Sequence, residues 1–246
     1  MPIRSPGDIV LKTDAIDIRT GRSSVFCFPA DSLDDFPAIP VLWETLLLME
    51  LRSREFSVDL GEMSSLALCD VGATLQILRL AARESLAPEH SVRMEDCISG
   101  LGMQACLSVM GEQAVLTGIG HSEVPEIWAH AREVAQACRA VAAADDGVHP
   151  EEAWLVGLLH GIGSLPRVLG WQGTDSGLSA AKRAALLLAE RWSLPPCVQE
   201  FCRAWDDDER DNRWIRVLRA AHPHAGRSPQ SCPLASIAAP RLRRVL

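Results

Sequence analysis

No stretch of the 246-residue sequence approaches the roughly 18 to 20 consecutive apolar residues of a bilayer-spanning helix. The opening "MPIRSPGDIVLK" also lacks the apolar centre of a secretory signal. A cytoplasmic protein with no membrane partner is therefore expected. Basic residues are in deficit: 24 Lys and Arg stand against 32 Asp and Glu, for a formal net charge of -8. Binding along a phosphate backbone is driven by Lys and Arg displacing counterions, so nucleic acid is not an expected partner. The chain has no G-x-S-x-G elbow, no phosphate-cradling glycine loop and no G-x-G-x-x-G after a strand, which removes the common serine-hydrolase and nucleotide-fold signatures. No internal repeat or low-complexity tract is visible.

Cysteines are present but never as a C-x-x-C pair. The eight, Cys27, Cys69, Cys97, Cys106, Cys138, Cys197, Cys202 and Cys232, are scattered, several of them among apolar residues of expected helices. They read as reduced core thiols, not as metal or redox centres. Tyrosine is absent while tryptophan occurs seven times. Trp43, Trp128, Trp154, Trp171, Trp192 and Trp205 fall mostly in or beside apolar helix faces, where core packing accounts for them. Any that stands exposed is a candidate anchor for a partner.

What is there in abundance is helical periodicity. Hydrophobic residues make up 48 % of the chain and charged residues 23 %, a globular balance. At this length roughly 70 to 75 % of the unfolded surface can be buried, in one large domain or two small ones. Residues 1–35 mix short apolar stretches with a Thr-Gly-Arg turn signal and suggest a small hairpin or an arm. From Phe36 the pattern turns helical. "FPAIPVLWETLLLMEL" spaces Ile39, Leu42, Leu46 and Met49 along one face, with Pro40 suited to a first helical turn. Asp59 and Glu62 have the spacing of a capping box, and Gly100 and Gly102 interrupt a further apolar helix. "VPEIWAHAREVAQACRAVAAA" sets Ile127, His130, Val134, Cys138 and Val141 on one stripe, which places a histidine on the buried side. "HPEEAWLVGLLHGIGSL" starts with Pro150 and two glutamates at the positive end of a helix. Helices near 178–192, 196–205 and 212–221 precede a Ser- and Pro-rich tail at 226–246. The expected fold is all-α, with a helical N-terminal lobe to about residue 120 and a second lobe after it, together spanning 36–225.

Five stretches carry a family resemblance in order and spacing: "FPAIPVLWETLLL", "RMEDCISGLGMQACLSV", "IWAHAREVAQACRAVA", "PEEAWLVGLLHGIGSL" and "ERWSLPPCVQEF". From about Phe36 to Ala221 the chain resembles the HDOD family, the HD-related output domains of bacterial signalling proteins. The resemblance implies two helical lobes, the second related to HD-type phosphohydrolases and to the HD-GYP enzymes that hydrolyse cyclic di-GMP. In those enzymes histidines and a His-Asp doublet hold divalent metals that generate a hydroxide nucleophile. Mapped by resemblance, the first histidine is His130 and the doublet is His160-Gly161. Glycine offers no ligand atom, so a charged metal ligand is lost. The lysine that commonly follows is Ser164, and further family histidines fall at Ala181 and at Trp205-Asp206.

Two readings of these residues stay open. In one, His130 and His160 are core histidines left from an ancestral site, the aspartate run is a solvated helix end, and no metal or other cofactor is expected. In the other, His130 and His160 join one carboxylate from Asp206, Asp207 or Asp208 in an open three-ligand site. His121 and His149 sit where helices start and His90 precedes a loop. His222 and His224, in "AAHPHAG", read as surface residues, an isolated metal site there being the lesser alternative. The function implied is a non-enzymatic regulatory module that binds a signalling protein, with a nucleotide as a further candidate ligand met only by Arg167 near His160. The alternative is a metal-dependent phosphohydrolase or cyclic-nucleotide phosphodiesterase with a reduced ligand set.

Overall fold

A computed structural model describes residues 39–86, 93–114, 124–144, 147–170 and 177–225. The expected N-terminal arm and C-terminal tail lie outside these residues, as do Trp171, His90 and His121. Every regular element among them is helical. A first group comprises α1 (Trp43–Ser53), α2 (Leu60–Ala67), α3 (Val71–Arg83), α4 (Met94–Leu101) and α5 (Met103–Ala114). A second comprises α6 (Val124–Ala142), α7 (Pro150–Leu159), the short α8 (Leu165–Val168), α9 (Leu178–Arg191), α10 (Pro196–Asp206) and α11 (Arg213–Ala221), with 3-10 turns at Ile162–Ser164 and His222–His224. The extensive helix–helix packing is within each group, yet one hydrophobic cluster runs through both, from Ile39 to Ala225. No single helix among the described residues is long and apolar enough to cross a membrane.

Local chemistry sets the helix ends. Asp59 caps α2 by accepting from the N–H groups of Gly61 (2.8 Å) and Glu62 (3.2 Å). The expected reciprocal half of that capping box is not made, because the Glu62 carboxylate turns to Arg52 Nε at 2.9 Å. Gly102, at φ +80°, ends α4 and lets the chain restart as α5, the break that the paired glycines suggest. Pro40 is a correction. It lies before α1, not in its first turn, because Leu42 is extended (φ -64°, ψ 131°) and caps the helix from outside.

Leu42 is held there by Asp70, which is wholly buried. Asp70 is the N-cap of α3 and accepts from Gly72 N (2.7 Å) and Ala73 N (3.1 Å). It also accepts from Leu42 N (2.6 Å) before α1 and from the indole Nε1 of Trp128 (2.9 Å) on α6. Burial pushes its carboxyl above the usual range while all four donors pull it down. One side chain thus ties α1, α3 and the second lobe together. Trp154 Nε1 donating to Leu68 O (3.3 Å) and the Arg79 guanidinium 4.8 Å over the Trp192 ring add two further ties between the groups.

Replacing Asp70 with Ala strands four N–H donors, three of them in buried bonds, and breaking such a set costs about 3 to 5 kcal/mol. Trp128→Phe removes one donor and is expected to cost about 1 to 2 kcal/mol. Urea unfolding checks both values, and an Asp70→Ala midpoint equal to that of the parent would refute this account of the lobe junction.

Candidate functional site

The site begins with a close helix crossing. A Cβ at Gly157 on α7 would lie 2.6 Å from Ala135 Cα and 3.0 Å from Cys138 Sγ on α6. Any larger residue would push the two helices apart, so glycine sets their separation. His130 projects from α6 and His160 follows the last residue of α7, and this approach brings their rings to 5.4 Å between centroids. A third ring completes the group: His222, just after α11, stands 5.1 Å from His130 and 5.8 Å from His160. One nitrogen from each ring can be chosen so that all three lie within 4.8 Å of one another.

All three imidazoles are buried, at 5 %, 1 % and 5 % exposure for His130, His160 and His222. His160 Nδ1 lies 2.6 Å from the Gly157 carbonyl. A carbonyl only accepts, so Nδ1 carries the hydrogen and the lone pair is on Nε2. Both ring nitrogens of His130 are buried and have no hydrogen-bond partner among the described residues. Such orphans are rare in folded proteins because each costs free energy. Burial is also the main cause holding the three rings below the ordinary histidine range, His130 at about 4 and His160 at about 3.

The residues mapped from the sequence divide sharply. His130 and His160 meet as expected. Gly161 is at φ -90°, ψ 4°, and a Cβ there would meet only Ser164 Oγ at 3.9 Å. Neither backbone shape nor space demands glycine at this position. Ser164 donates from Oγ to Gly161 O (2.7 Å) and closes the 3-10 turn. Ala181 is partly buried on α9, Trp205 is buried beside Phe201 with stacked rings, and Arg167 is exposed on α8.

The group that meets the two histidines is His222, not a carboxylate. Asp206 is half-buried at the end of α10 and outside the cluster; Asp207 and Asp208 are exposed, and Asp208 pairs with Lys182 of α9. The surface role expected of His222 is therefore corrected, while His224 is exposed. A signal for it was present. Trp214 and Leu218 are buried at four-residue steps on α11, and His222 is the next step along that stripe.

A second concave feature lies between the lobes. It is a cavity of about 230 Å³ whose lining includes Ser64, Cys69, Arg93, Arg139, Glu151 and Trp154. None of its lining residues belongs to the histidine cluster. Arg93 Nε reaches Glu151 across the lobes at 3.6 Å, and the Arg139 guanidinium lies 5.9 Å from the Trp154 ring centre.

An HDOD domain model matches residues 39–172, more than half of the chain. The chain belongs to the HDOD domain family. The HDOD match includes His130 and His160 and stops well before His222. Two solved structures share the fold, both of the MmoQ response regulator from Methylococcus capsulatus str. Bath. One aligns with a TM-score of 0.58 at 20 % identity, covering 76 % of this chain and 84 % of that one. The other, a fragment of residues 20–298, gives 0.56 at 19 %, covering 82 % and 91 %. No curated protein matches this HDOD chain.

The depressed histidines have a consequence for acid stability. The folded rings stay neutral where unfolded ones, at 6.5, take up protons. Stability is thus complete above pH 6.5 and is lost as pH falls toward about 4 and 3. For His130 and His160 the loss between pH 6.5 and 5 is expected to be about 2 kcal/mol each. Denaturant unfolding at several pH values measures it. A midpoint unchanged down to pH 5, or a slope that His130→Leu leaves untouched, would contradict the burial of neutral rings.

Proposed function

We propose that this HDOD chain is a non-catalytic regulatory module that works by binding a protein partner. The observation that carries this reading is the carboxylate missing from the histidine site. Gly161 replaces the aspartate of a His-Asp doublet, and the third group of the cluster is an imidazole. Hydroxide-generating phosphohydrolase sites use anionic oxygen ligands to hold and bridge their metals, and this donor set has none. The MmoQ structures are of a response regulator, a class consistent with such a role here.

A surface suited to a partner is present on α1. Trp43 is 59 % exposed, and Leu47 and Leu51 follow it at four-residue steps, both exposed. Leu48 and Phe56 extend the apolar surface. A contiguous stripe led by an exposed tryptophan is the usual form of a protein-docking face. The second reading, a nucleotide-like ligand, is favoured by the interlobe cavity, where the Trp154 ring and the guanidinium of Arg139 offer a stacking surface beside a positive charge.

Two measurements test this function. The purified protein is expected to hydrolyse neither bis-p-nitrophenyl phosphate nor cyclic dinucleotides above the blank, with manganese, iron or zinc supplied. Turnover that disappears in His160→Ala would sink the non-catalytic reading. A photo-crosslinking residue at Leu47 is expected to trap a discrete adduct in the native host, reduced about tenfold or more by Trp43→Ala, as for loss of an interface hot spot. Adducts indifferent to Trp43 would remove α1 as the docking face. Separately, a rise in melting temperature with nucleotides that is lost in Arg139→Glu would favour the cavity.

A further inference from the structure

We infer that His130, His160 and His222 form a binding site for one divalent ion of the late first-row metals, zinc or cobalt(II), held by three neutral imidazoles. This goes beyond the binding function above and does not depend on it. It differs from a His-Asp metal centre in its donors and in recruiting a residue beyond the family match.

Two independent observations point to a ligand. First, three ring nitrogens converge within 4.8 Å from three separate elements, α6, the end of α7 and the turn after α11. Second, His130 is 95 % buried by its 5 % exposure, and neither of its nitrogens has a partner among the described residues. A bound ion would satisfy one of them directly. His160 adds the arrangement expected around a metal: its Nδ1–H donates to the Gly157 carbonyl at 2.6 Å, which fixes the ring and its tautomer.

The geometry is close to that of a filled site. Zinc–nitrogen bonds of about 2.0 to 2.1 Å place tetrahedral ligand atoms roughly 3.3 Å apart. From a 4.8 Å triangle, each nitrogen has to move inward by about 1 Å, an adjustment of the order of a ring rotation. Burial already keeps the imidazoles neutral, the form that binds metal.

Donor chemistry selects the ion. Imidazole nitrogen suits zinc, cobalt, nickel and copper, whereas magnesium, calcium and manganese prefer oxygen. With no carboxylate in the triad, a divalent ion keeps its full charge and an open fourth position, which a small anion or water would take. Glu133 is the acidic group whose charge acts on His130, and it offsets part of that charge. Because the three ligands lie on different elements, occupancy would clamp the end of α11 to α6 and α7 and raise stability by mass action.

The test is titration of chelator-stripped, dialysed full-length protein with cobalt(II) chloride, and separately with zinc chloride. The expected result is one equivalent bound, visible ligand-field bands typical of tetrahedral cobalt, and a higher melting temperature with zinc. His222→Ala and His130→Ala should weaken binding roughly tenfold or more, while His224→Ala should leave it unchanged. Should the alanine variants fail to fold, His222→Gln, checked by circular dichroism, takes their place. No tetrahedral cobalt spectrum, or binding that His222 variants do not weaken, overturns the site. Phosphodiester turnover by the zinc-loaded protein would instead overturn the non-catalytic function and leave the site standing.

Discussion

The carboxylate of Asp70 is the interaction on which the arrangement of the two lobes depends. It takes four N–H donors from three parts of the chain, in a place water does not reach. A buried charge without such partners would be prohibitive, and the donors without it would be left unsatisfied. The constraint is therefore mutual. The Leu42 N–H donates to Asp70 and so ties the start of α1 to the start of α3, and Trp128 cannot rotate without stranding its indole. With Trp128 fixed on α6, the register of that helix is fixed too, and His130 two residues on is carried to its position.

From there the site follows by packing. Gly157 lets α6 and α7 approach until backbone touches backbone, and its carbonyl orients the ring of His160. The amphipathic stripe of α11 buries Trp214 and Leu218 and delivers His222 to the same place. Three histidines thus meet without any one element bringing two of them. The mean effect is a polar knot in an apolar lobe, held neutral by its surroundings.

Much of this was legible in the sequence, because helical periodicity and helix-start chemistry are local. The break at Gly102, the start of α7 at Pro150 and the buried stripe through His130 follow from residue type and spacing alone. The all-α class and the family follow from such segments in order, four of the five overlapping the matched residues 39–172 and the fifth lying beyond them. Glu62 departs from its local preference because a distant partner, Arg52, takes its carboxylate, and Pro40 falls outside α1 because Leu42 is extended. His222 was missed for a different reason. Its short "HPH" context suggests an exposed turn, and only the stripe of α11, followed one step past the helix end, shows that it points inward. The pairing of Asp208 with Lys182 likewise joins positions that no sequence pattern links.

The unoccupied space at Gly161 has an evolutionary meaning. A Cβ there would lie 3.9 Å from the Ser164 hydroxyl, an ordinary contact, and the backbone is already in a shape that any residue adopts. Glycine and aspartate differ by one base where the glycine codon ends in a pyrimidine. An aspartate after His160 is thus a single mutational step away, and its Cβ would meet no clash. A carboxylate can arise beside His160 without rebuilding the core, while Ser164, Ala181 and Trp205-Asp206 keep the rest of the site unlike a His-Asp centre.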